Sequence, residues 1–165
     1  MPVTFALVLA GSLMLRAQAP PLPAAIRALL DKSHPGWSIV PPPTAATTTV
    51  ATGDFDGDGA RDYAAFLVMP VPKGEEVGTP MGRVMAFLKT PGSYHMVPVS
   101  RPIDASKEAG IHLRLLRKGT QKHDLATYRP FILEHDGILV SPLDSGPCTT
   151  FVYRRGSFAS IWTCD

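Results

Sequence analysis

Proline and glycine interrupt this chain too often for long helices to form. Seventeen prolines and fourteen glycines are spread over 165 residues. A proline inside a helix removes a hydrogen bond and clashes with the preceding turn, so the spacing favours turns and short strands. Apolar residues make up 45% of the chain and charged residues 18%, enough to bury a core and too little charge for a disordered polymer. The expectation is an α+β fold, a predominantly antiparallel β-sheet with one N-terminal helix. A formal net charge of +2 gives no reason to expect nucleic acid or an anionic membrane as partner.

The first residues read as an address. An apolar run from Val3 to Leu15 is followed by Ala17-Gln18-Ala19, the small-x-small pattern of a signal-peptidase site. Residues 1–19 are therefore expected to be a signal peptide, and residues 20–165 a single domain of ordinary size, secreted or periplasmic. No segment reaches the roughly 18 apolar residues of a membrane span, so none is expected in the mature chain.

Leu22, Ala25, Ile26, Leu29 and Leu30 follow the spacing of a helix with one buried stripe, which Pro35-Gly36 stops. Strands are expected at residues 47–51, 63–69, 83–89, 94–99, 111–117, 131–135, 138–141, 149–154 and 158–163. Residues 70–82 read as a long polar connection and Trp37 and Trp162 as core anchors. An exported chain with only two cysteines points to a Cys148–Cys164 disulfide across the last hairpin. Register constrains that bridge. A two-residue Arg155-Gly156 turn would set the two cysteines on opposite faces, so the bridge needs a three-residue turn or a bulge near Pro147.

The densest chemistry is the stretch GDFDGDGARDY, which places carboxylates at Asp54, Asp56, Asp58 and Asp62, positions 1, 3, 5 and 9 of a loop with Gly59 at position 6. Four like charges this close call for a cation. Calcium suits them because it takes six to eight oxygens at flexible angles, and the Ala60 carbonyl at position 7 can add one more. Magnesium prefers strict octahedral geometry and fits less well. The alternative is a metal-free turn, since Asp and Gly favour turns in any case. An EF-hand is not expected: Ala65 stands where its bidentate Glu belongs, and the residues after Asp62 read as a strand. The pattern resembles the calcium loops of FG-GAP and VCBS-type repeats, strand-loop-strand sites found in many exported bacterial proteins. That resemblance implies Ca2+ as the bound ion, with Asp54, Asp56, Asp58 and Asp62 as its side-chain ligands. It covers about 20 residues and one copy, so the motif transfers and the propeller does not.

Other signals are weaker. Leu143-Asp144-Ser145-Gly146-Pro147 shares part of a serine-protease nucleophile segment but lacks its paired glycines, and the chain is too short for two barrels. His34, His95, His112, His123 and His135 show no paired metal spacing, and Glu75-Glu76 reads as a solvated charge pair. No catalytic residue is assigned. The expected function is a non-enzymatic exported domain with structural calcium, binding an unknown protein or envelope component. A hydrolase whose residues converge only in three dimensions, and an inhibitor or immunity-type module, are the alternatives.

Overall fold

The computed structural model describes residues 21–69, 80–104, 110–143 and 146–164. The leader at residues 1–19, the Glu75-Glu76 pair and Asp144-Ser145 lie outside the described residues, as does most of the 70–82 connection.

Helix α1 (Ala24–Ser33) forms as its spacing requires. Leu22, Ile26 and Leu30, four residues apart, are buried on one stripe. The helix ends where His34 N–H still donates to the Leu30 carbonyl at 2.7 Å and Gly36 turns the chain with φ +86°. The Trp37 indole N–H then donates to Asp31 Oδ1 at 2.8 Å, tying the turn back to the helix.

β1 (Ser38–Ile39), β2 (Val50–Gly53), β3 (Asp62–Met69), β4 (Met81–Thr90), β5 (Ser93–Pro98) and β6 (Ile103–Asp104) build a first antiparallel sheet. Its order is β1-β3-β4-β5, with β2 also paired to β3 and β6 to β4. β7 (His112–Leu116) pairs with β10 (Gly137–Ser141), which continues through β11 (Cys148–Arg154) to β12 (Ser157–Cys164) as a second antiparallel sheet. Between β7 and β10 in the chain, β8 (Gln121–Asp124) and β9 (Arg129–Ile132) form a separate hairpin. The described strands make open sheets and no propeller, matching the α+β expectation.

These elements stack in four layers. Phe66, Val84, Ala86, Leu113, Ile138 and Phe151 fill the space between the two sheets. On the far face of the first sheet, Ala65, Leu67 and Phe87 pack under the helix stripe. On the far face of the second, Leu139 and Val152 pack with Leu133 and Phe131. β3 and β4 are thus covered on both faces, which explains their near-continuous apolar sequences.

The last hairpin resolves the register question. Arg155 and Gly156 form a two-residue turn with φ of +51° and +85°, pairing Arg154 with Ser157. That register alone would part the cysteines. It shifts between Cys148 and Thr149, leaving Thr163 as an extra residue in β12 and bringing Cys148 opposite Cys164. The disulfide forms there, with Cα atoms 4.9 Å apart.

The sheets also meet edge to edge. Leu113 N–H on β7 donates to the Thr48 carbonyl at 2.7 Å, just before β2. Val50 N–H, on that same free edge, donates to Thr48 Oγ1 at 3.0 Å, and this hydroxyl donates to the Val50 carbonyl at 2.8 Å. One threonine side chain therefore closes the edge that a neighbouring strand would otherwise occupy.

Candidate metal centre

The carboxylate loop joins β2 to β3, whose register closes at Gly53 opposite Asp62. Alternation sorts its side chains. Phe55 is fully buried against Phe158, with ring centroids 6.5 Å apart, while its neighbours Asp54 and Asp56 stay at the surface side. Gly57 and Gly59 adopt φ of +83° and +84°, a left-handed backbone that glycine enters without strain.

The result is convergence. One carboxylate oxygen from each of Asp54, Asp56 and Asp58 lies within 4.8 Å of the others. The loop shapes itself through those same groups. Asp54 accepts Gly57 N–H at 2.8 Å and Gly59 N–H at 3.1 Å; Asp56 Oδ1 accepts Asp58 N–H at 3.2 Å, and Asp58 Oδ1 accepts Ala60 N–H at 2.7 Å. The loop's own hydrogen bonds thus hold the three carboxylates together, and each retains lone pairs that a hard cation could use.

Asp62 stands differently. It is fully buried and outside the converging trio, and its two oxygens accept Phe55 N–H at 2.8 Å and Lys89 N–H at 2.7 Å. Burial pushes its carboxyl up to about 6, against the pull of those two N–H groups, and the charges of Asp56 and Asp58 add to the rise. Asp56 is also raised, first by burial and then by the charges of Asp58 and Asp54. In the fold Asp62 stitches the loop to β4, a role local spacing did not reveal. Ala60 lies in the loop with its N–H committed to Asp58.

Two residues to which the sequence reading gave no role at the loop, His135 and Asp136, hold it from the segment that leads into β10. Asp136 is buried and accepts Asp54 N–H at 3.2 Å through Oδ2 and Lys118 N–H at 2.9 Å through Oδ1; Arg117 Nη1 also reaches Oδ2 at 3.2 Å. Asp136 N–H in turn donates to the Asp54 carbonyl at 3.0 Å. His135 packs its ring against Gly57, so close that a Cβ there would overlap the imidazole. No sequence signal could have found these contacts, which span 82 positions for Asp54 and Asp136.

The remaining histidines do not join them. His95 and His123 are exposed, and His34 caps the helix. His112 lines a groove of about 440 Å³ with Arg114, Arg117 and Thr48, and no carboxylate lines that groove. His135 and Asp136 share a crevice of about 10 Å³, room for about one water. Trp37 is half-buried beneath the helix, but Trp162 is 45% exposed, so the core-anchor reading fails for it. The reason is position: Trp162 lies on β12, which has a neighbour on one side only. In comparisons with known proteins, the chain matches no family model, no curated protein and no solved structure.

Proposed function

We propose that this protein is an exported, non-enzymatic calcium-binding domain in which one Ca2+ pins the turn between β2 and β3, and that it serves binding or structure at the cell envelope. The observation that carries the reading is the convergence of Asp54, Asp56 and Asp58 within 4.8 Å in a loop already shaped by their own hydrogen bonds. The ion would offset the mutual repulsion of the trio and of Asp62 behind it. Held by several carboxylates, it would have few positions left for a substrate, which suits a structural role. The disulfide fits an oxidising compartment, as export requires.

Extracellular sites of this chemistry bind with dissociation constants of about 10⁻⁴ to 10⁻³ M. At about millimolar calcium the stabilisation is then roughly 0.4 to 1.4 kcal/mol, a melting shift of about 1 to 6 °C. Calorimetry should show a single site, and chelator should reverse the shift. Asp54→Ala or Asp58→Ala should abolish both, while Glu75→Ala leaves them intact. Purified protein with no binding heat and no chelator response would refute the calcium reading.

A further inference from the structure

Between the β5–β6 connection and β6 of the first sheet, the turn after β8, and β11 and β12 of the second sheet lies a groove of about 520 Å³. Its size falls within the range of small-ligand sites. Phe151 and Ile103 give it an apolar floor, and Trp162 stands at its side, 45% exposed. The indole is not loose: its N–H donates to the Cys164 carbonyl at 2.9 Å, beside the disulfide, and the Trp162 carbonyl accepts Leu125 N–H at 2.9 Å. With the polar edge committed, the carbon surface of the ring is what the groove is offered. The rim is polar and of both signs. Arg101, Asp124 and Ser160 line it, and the Asp124 carboxylate is oriented by Ala126 N–H at 2.9 Å and the Thr127 hydroxyl at 2.8 Å.

We propose that this groove binds a neutral hexose-based glycan, with one pyranose ring lying on Trp162. A sugar ring presents a flat face of C–H groups and a rim of hydroxyls that both donate and accept. That combination asks for a fixed aromatic surface bordered by planar donors and acceptors, here the indole, the Arg101 guanidinium and the Asp124 carboxylate. A lipid or apolar peptide would make no use of the polar rim, and a nucleotide phosphate drawn to Arg101 would share that rim with the Asp124 carboxylate. The groove uses no residue of the carboxylate loop, so this inference stands apart from the calcium reading.

The test is a titration of the full chain with chitotetraose and with maltotetraose, following tryptophan fluorescence in calcium and again in chelator. At least one of the two sugars should give a saturable change with a dissociation constant in the millimolar range or below. The fluorescence change should persist in Trp37→Phe, vanish in Trp162→Ala and weaken several-fold in Arg101→Ala, while the binding heat should be lost in Trp162→Ala and survive weakened in Trp162→Phe. Calorimetric titration of the same variants reads binding without relying on the indole, and their melting temperatures show whether each is folded. No saturation with either sugar, binding heat unchanged in folded Trp162→Ala, or tighter binding of adenosine monophosphate than of either glycan overturns the proposal. Loss of the calcium response with the glycan response intact, or the reverse, separates the two readings.

Discussion

Gly57 and Gly59 have nearly the same φ but different surroundings. At both, a side chain must accept a left-handed conformation that costs about 1–2 kcal/mol. At Gly59 nothing lies within 4 Å of an added Cβ, whereas at Gly57 the His135 ring must move. In urea unfolding, Gly57→Ala should therefore lose clearly more stability than Gly59→Ala. Equal losses would mean that the His135 contact contributes nothing. Asp62 carries a second residue-scale prediction. Its ordinary value is 3.8, and in the fold it is held at about 6 by burial. Between those values the folded state keeps a proton that the unfolded chain has released, so metal-free stability should fall as pH rises from about 4 to about 6. Calcium favours the ionised carboxylates and should flatten that fall. Melting temperatures followed across this window in chelator and in calcium check it; parallel curves would uncouple Asp62 from the site.

Among elements, legibility followed range in sequence. The helix followed from Leu22, Ile26 and Leu30 on one stripe and β7 from Ile111, Leu113 and Leu115 alternating with His112 and Arg114, while the other strands were read from apolar and β-branched runs bounded by turn residues. Two of these are displaced, the strand expected at 47–51 forming at Val50–Gly53 and the one expected at 131–135 at Arg129–Ile132. β1 and β6 span two residues each, too few for any period, and β8 carries the polar run Gln121–Asp124 whose pairing is set by β9. The carboxylate trio was legible because five consecutive positions, Asp54 to Asp58, contain it. Asp136 and His135 were not, since only tertiary folding sets them against the loop. The final hairpin shows both sides of this: the cysteine pairing could be expected, but not that Thr163 would supply the extra residue. Its disulfide closes a loop of 16 positions and should stabilise the fold by about 3 kcal/mol in the chain-entropy model. A Cys148→Ala/Cys164→Ala double variant should show this as a lower urea midpoint, whereas an unchanged midpoint would leave the bridge without a stabilising role.

On the scale of the molecule, three apolar layers alternate with the helix, two sheets and hairpin, and the carboxylate loop lies where the two sheets meet. Its contacts are of two kinds. The carboxylate trio and its shaping hydrogen bonds belong to one short hairpin, whereas the Asp136 clasp joins that hairpin to a segment 82 positions away. Contacts of low sequence separation are formed early in folding, and those of high separation close late. An ion held by the first kind, as proposed, would therefore act before the chain has collapsed into its final arrangement. In stopped-flow measurements calcium should accelerate refolding and leave the unfolding limb nearly unchanged, while Asp136→Ala should do the opposite and mainly speed unfolding. Calcium acting on the unfolding limb alone would mean that the loop organises late. If the protein is exported as proposed, a chain refolding outside the cell would meet abundant calcium as it began to fold, and the ion would hasten its passage through the sticky, half-formed states in which β proteins aggregate.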